Sequence, residues 1–129
     1  MYRYSVKTVE RVVDGDTVDV VIDLGFSIWI KQRIRLAGLD APEMNSTNEE
    51  ERRLALEAKA FVTDWLGQNQ TLVVETSKDD KYGRMLGSFF ALGGTRSLNE
   101  EMVDEGYAWA YDGGKKNKDT SILLEKREQ

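Results

Sequence analysis

Between residues 17 and 36 apolar side chains return at every second position, and this alternation restricts the possible folds more than any other feature of the chain. Val18, Val20, Ile22 and Leu24 share one phase, Thr17, Asp19 and Asp23 the other, with Val21 the exception. A period of two belongs to a strand with one face in a core and one in water. Gly25 turns the chain, and Phe26, Ile28, Ile30, Ile34 and Leu36 resume the alternation. Arg33 and Arg35 then point away from the core face. Residues 4–13, rich in β-branched side chains, read as a strand that ends in an Asp14-Gly15 turn. A three-stranded meander is the simplest outcome.

Further along, the period changes. Leu54, Ala58, Phe61, Val62 and Trp65 form one apolar stripe of a helix over residues 52–66, with Gly67 as its expected C-terminal cap. Residues 71–76 and 86–92 read as two more strands. Ser97 and Glu100 have capping-box spacing and open a short helix that ends at Gly106. A Gly/Lys/Asn loop over 113–118 precedes a last helix, capped by Asp119 or Thr120 and carrying Ile122 and Leu123. No repeat, low-complexity tract or linker interrupts the 129 residues. The expectation is a single α+β domain over residues 1–129, a five-stranded β-barrel of OB-fold type with about three helices.

The chain has no cysteine and no histidine. Disulfides, zinc-thiolate sites, Ser-His-Asp triads and most transition-metal sites are therefore excluded. Chemistry must use Asp, Glu, Lys, Arg, Tyr, Ser, Thr or the backbone. The net charge is −5, opposite to the usual sign for a nucleic-acid binder. The acid concentrates in Glu49-Glu50-Glu51, in Glu100-Glu101 with Asp104-Glu105, and at the C-terminus, while Lys31, Arg33, Arg35, Lys78, Lys81 and Arg84 lie in or near the segments described next. A local basic cleft on an acidic body can focus a polyanion. The first residues lack an apolar h-region and no apolar run reaches membrane-spanning length. The expectation is a soluble protein without membrane association, cytoplasmic or released by another route.

Three short segments carry the candidate chemistry. Asp14-Gly15-Asp16-Thr17 is a turn that opens a strand and could hold Asp16 rigidly enough to ligate a cation; it is also a common Asp-Gly turn. It is not an EF-hand loop, because its sixth position is Asp19 and its twelfth Gly25. In Asp40-Ala41-Pro42-Glu43 two carboxylates bracket a corner stiffened by proline. The alternative there is a helix-initiating turn with Pro42 at its first position and Glu43 at its second. Paired with Asp16, these carboxylates suit Ca²⁺ or Mg²⁺. Asp80-Lys81-Tyr82-Gly83-Arg84 is a polar loop before a strand, either a solvated turn or a phosphate fork, Arg84, beside a stacking surface, Tyr82. Among Tyr107, Trp109 and Tyr111 one or two fill core, and Tyr111 is expected at a binding surface.

Taken together over residues 6–111, the Asp14–Thr17 turn, the run from Arg35-Leu36 to Glu43, and Asp80–Arg84 with a helix before it resemble the staphylococcal nuclease (thermonuclease) family of small calcium-dependent nucleases. The resemblance implies that Asp16, Asp40 and the backbone carbonyl of Ala41 ligate Ca²⁺, with Asp14 behind them. It implies that Glu43 positions or deprotonates the attacking water and that Arg35 and Arg84 clamp the phosphate. Lys81 and Tyr82 would contact a neighbouring phosphate, and Tyr111 matches a base-stacking tyrosine. Position 41 is Ala where the prototype has Thr, so a hydroxyl is lost but a backbone ligand is kept. The implied activity is a monomeric Ca²⁺-dependent phosphodiesterase acting on single-stranded or frayed DNA and on RNA with little sequence specificity, leaving 3′-phosphates. The alternatives are a non-catalytic nuclease-like barrel that binds single-stranded nucleic acid or a protein, and a Ca²⁺-stabilised structural module that would leave both arginines without purpose.

Overall fold

The alternating segments pair as antiparallel strands that curl until the sheet meets itself. A computed structural model describes residues 2–68, 71–79, 84–112, 114 and 119–129, with the backbone alone for Lys78 and Asp79. In chain order the elements are β1 (Tyr2–Asp14), β2 (Thr17–Asp23), β3 (Trp29–Leu36), β4 (Leu39–Asp40), α1 (Glu49–Gln68), β5 (Leu72–Asp79), β6 (Met85–Ala91), α2 (Leu98–Asp104), β7 (Trp109–Ala110) and α3 (Thr120–Arg127). β1 to β3 form the expected meander, and the barrel closes in the order β1-β2-β3-β6-β5. Closure needs a strand long enough to serve two neighbours. β1 does this, pairing Ser5–Asp14 with β2 and Tyr2–Val6 with β5, its ladder to β2 shifted by irregularities. Such bulges bend and twist a strand. A short parallel contact, Ile34–Leu36 with Met85–Gly87, completes the ring.

Inside the barrel Val18, Val20, Ile22, Ile34, Leu36, Val74 and Phe89 meet Ala58, Val62 and Leu66 of α1 and Leu98 and Met102 of α2 in one core. α2 begins as its sequence requires: Ser97 accepts from the N–H of Glu100, and Glu100 returns the bond to the Ser97 backbone. Gly106 follows at φ +82, a conformation that costs glycine nothing. Asp119 caps α3. This short helix is anchored by Leu123, buried with Leu54 and Trp109, and by Arg127, which pairs with Glu57 and lies over the Tyr107 ring.

Three local expectations fail, and one alternative is not taken. Leu24, Phe26, Ile28 and Ile30 share the core phase, yet all are exposed, Phe26 at 98%. The β2–β3 hairpin outruns the barrel, so its apolar face has nothing left to pack on. Arg35 is buried rather than wet, because β4 folds over the outer face of β3 at that end. α1 runs from 49 to 68, so Gly67 lies inside it and is no cap. The alternative helix start at Pro42 is not taken; residues 41–43 are irregular and α1 begins only at Glu49. β4 and β7, two residues each, are too short to leave a periodic signal.

Candidate active site

The site grows from a junction of three small residues. A methyl group on Gly15 would lie 2.8 Å from Cβ of Ala58 and 2.9 Å from Cβ of Ala41. The β1–β2 turn, the β4 corner and helix α1 therefore approach as closely as side chains allow. The turn is tied to its neighbours by hydrogen bonds. Asp14 Oδ1 accepts from the N–H of Asp16 at 3.0 Å, and the carbonyl of Asp16 accepts from the N–H of Leu36 at 2.8 Å. Asp16 Oδ2 accepts from the N–H of Ala41 at 3.2 Å. Asp40 is held opposite by its pairing with Trp109. The turn between β3 and β4 rests on buried Asn99 of α2, whose amide donates to the carbonyls of Ala37 at 2.8 Å and Gly87 at 3.1 Å.

Arg35 joins the two carboxylates. Its Nη2 is 3.2 Å from Asp40 Oδ1 and 3.5 Å from Asp16 Oδ2. Its Nη1 donates to the carbonyls of Leu36 and Leu39, at 3.0 and 3.1 Å. Among the described residues Nε has no partner, which makes it the donor available to an incoming oxygen. Asp14 and Asp16 respond oppositely to their shared site. Burial, and then the hydrogen bond and charge of Asp16, push Asp14 up to about 6. Burial also pushes Asp16 up, but Asp14, Arg35, the Ala41 N–H and Thr17 together bring it below the usual carboxylate range. Of the two acids, Asp14 therefore holds its proton to higher pH and Asp16 ionises first.

Glu43 sits at the rim on an irregular segment whose shape is set by Glu51. Glu51 Oε2 accepts from the N–H of Glu43 at 3.0 Å, and its Oε1 from the Ser46 hydroxyl at 2.9 Å. The Glu51 N–H is in turn received by Asn48 Oδ1, which serves the start of α1. In the sequence Glu49–Glu51 reads only as a local excess of acid. An acidic side chain three residues after an Asn is the available sign of a helix start.

Val13, Asp14, Asp16, Thr17, Arg35, Asp40, Ala41, Pro42, Glu43 and Arg84 all line one open cleft of about 610 Å³. Tyr111 is not among its lining residues; its hydroxyl donates to the carbonyl of Gly114 at 3.0 Å and its N–H to that of Gly38 at 2.9 Å. Of the neighbouring aromatics Trp109 fills core and Tyr107 stacks on Phe61. Lys81 and Tyr82, and the 113–118 loop apart from Gly114, lie outside the described residues.

Among the described residues the cleft is not basic: four carboxyl groups, Asp14, Asp16, Asp40 and Glu43, face two guanidiniums. A phosphodiester would meet net repulsion there. No group of three or more such acids is drawn tightly together among the described residues. Two carboxylates, a backbone carbonyl and open space for water nevertheless suit a hard cation with flexible coordination, and Ca²⁺ is such a cation. Its charge is also what the cleft needs before an anion can enter.

Residues 33–129 match the family model described as staphylococcal nuclease homologue. Protein ParB of Escherichia coli is 36% identical over 112 residues, covering 80% of this chain and 55% of its own length. Micrococcal nuclease of Shigella flexneri is 36% identical over 110 residues, covering 80% and 56%. Thermonuclease of Staphylococcus hyicus is 33% identical over 101 residues, covering 78% and 56%. The chain thus spans about half the length of these relatives. With three quarters of its residues in the family match and its barrel and helices arranged as described, it belongs to the staphylococcal nuclease homologues.

Proposed function

We propose that this chain is a Ca²⁺-dependent phosphodiesterase that hydrolyses single-stranded or frayed DNA, and RNA, with little sequence specificity and leaves 3′-phosphates. One observation carries the reading. Residues from three segments distant in sequence, Asp16, the run from Arg35 to Glu43, and Arg84, converge on a single open cleft. Asp16, Asp40 and the Ala41 carbonyl would hold the ion, which when bound supplies positive charge that polarises a phosphoryl oxygen. Arg35 through Nε, and Arg84 through its planar fork, bind the phosphate oxygens. Both bonds strengthen as charge builds in the transition state. Glu43 orients a water for attack on phosphorus. A carboxylate is a weak base near neutral pH, so orientation contributes more than proton abstraction. Lys81, Tyr82 and Tyr111 would act on the flanking nucleotide.

Digestion of plasmid and RNA with Ca²⁺, Mg²⁺ or chelator tests this reading. Cutting is expected with Ca²⁺ and none with chelator; full activity in chelator would rule the mechanism out. The binding-module reading would take over if the protein held single strands in Ca²⁺ and never cut them.

A further inference from the structure

The strand that brings Arg35 to the cleft carries other side chains that the cleft does not use. Trp29, Lys31, Arg33 and Arg35 alternate along β3 and so share one face, and the first three are exposed. At a rise of about 3.3 Å per residue this row runs about 20 Å from the cleft to the hairpin tip. The surface beside it is concave: Glu10, Asp19, Lys31, Gln32 and Arg33 line a depression of about 320 Å³. Across it Asp19 is paired with both Arg11 and Arg33. Asp19 receives Nε of Arg33 at 2.7 Å and Nη2 at 3.0 Å. That pair aims the guanidinium across the sheet surface without engaging Nη1. At the far end Lys7 Nζ lies 4.0 Å from the centre of the Trp29 ring. Lys7 occupies a register shift between Val6 and Thr8, an irregularity of the kind that re-aims a side chain.

On a chain of net charge −5 this face brings Lys7, Arg11, Lys31 and Arg33 together with Glu10, Asp19 and Asp23. Cations spaced along a strand and ending in an exposed indole serve no core. They match the two chemistries of a single-stranded polynucleotide, a charged backbone and stackable bases. Continuity with the cleft argues against a protein or lipid partner, because the row ends on the very arginine proposed to hold the scissile phosphate.

We propose that this face of β3 is a second track for single-stranded nucleic acid, on which Lys7, Lys31 and Arg33 hold phosphates and Trp29 stacks on a base. The track rests on the nucleic-acid reading above and extends it to long strands. Anisotropy of labelled single strands of about 4 and about 16 nucleotides, the range bound by one OB fold, is measured in chelator, so that nothing is cut. Trp29→Ala should weaken binding of the long strand at least about fivefold. Lys31→Ala should flatten the dependence of log affinity on log salt by about 0.7, and Lys31→Glu should weaken binding further. With Ca²⁺, cutting of the short strand should be unchanged in all three variants. Unaltered long-strand affinity and salt slope would overturn the track, whether or not the protein cuts. Weakened long-strand binding in a protein that cuts neither strand would uphold the track and refute the nuclease.

Discussion

Gly15 is where a single methyl group should disturb both the fold and the site. Its backbone does not lie at positive φ, so alanine is sterically permitted by the chain itself. At such a position Gly→Ala ordinarily stabilises by about 0.4–1 kcal/mol, through the unfolded state. Here the new Cβ would lie 2.8 Å from Ala58 Cβ and 2.9 Å from Ala41 Cβ, against an ordinary carbon contact of about 3.5–4.0 Å. Neither methyl has a rotamer through which to retreat. Something must therefore move by roughly 1 Å, and overpacking of this kind costs about 1–3 kcal/mol. The steric cost exceeds the entropic gain, and Gly15→Ala is expected to lose about 1–2 kcal/mol in metal-free urea denaturation. The separation that relieves the clash also parts Asp16 from the Ala41 N–H, now 3.2 Å away. Calorimetric Ca²⁺ titration should accordingly show weaker binding. Ala58→Gly alone should cost about 1 kcal/mol of helix propensity. In the Gly15→Ala background it should cost much less, a coupling of about 0.5 kcal/mol or more. A Gly15→Ala protein as stable as the parent, or a strictly additive double variant, would refute the argument.

Glu43→Gln should lower turnover by about 10²–10⁴-fold if Glu43 acts on water, with calorimetric Ca²⁺ affinity changing far less; a near-native rate would assign Glu43 to the loop alone. Arg84→Lys and Arg35→Lys should both cut kcat by on the order of 10²-fold. Exposed Arg84 should do so without loss of stability, whereas Arg35, which holds the carbonyls of Leu36 and Leu39, should also lower the thermal midpoint. Glu51→Ala releases the Glu43 N–H and Ser46 hydroxyl and should reduce kcat while leaving the barrel's far-ultraviolet spectrum intact. Asp14 has its folded-state pKa raised from 3.8 to about 6. Its contribution to stability is thus fully present below pH 3.8 and is lost as pH rises through about 6. Asp14→Asn should abolish that decline in metal-free melts, and an unchanged pH profile would show that Asp14 is not the group responsible.

What the chain determined by itself is what depends on neighbours within one turn or one pleat. The period of two in Val18, Val20, Ile22, Ile34 and Leu36 and the helical stripe of Leu54, Ala58 and Val62 mark core faces directly, because side-chain direction repeats with the local backbone. Ser97 with Glu100, and Asp119 with Ser121, cap helices through bonds spanning two or three residues. The spacing of Asp16, Asp40, Glu43 and Arg84 was legible for the same reason, as short motifs on turns. Tertiary structure decided the rest, because it depends on contacts no window contains. Whether the hairpin face of Phe26 and Ile28 is covered depends on where the barrel ends. Whether Arg35 is wet depends on β4, and β4 exists only because Asp40 finds Trp109. The sign of charge in the cleft depends on the meeting of Asp14, Asp16, Asp40 and Glu43, whereas the cations around Lys31 and Arg33 in the sequence suggest a basic one. That meeting is set by Gly15 against Ala41 and Ala58, three small residues whose importance is invisible until the chain brings them within a methyl group of each other.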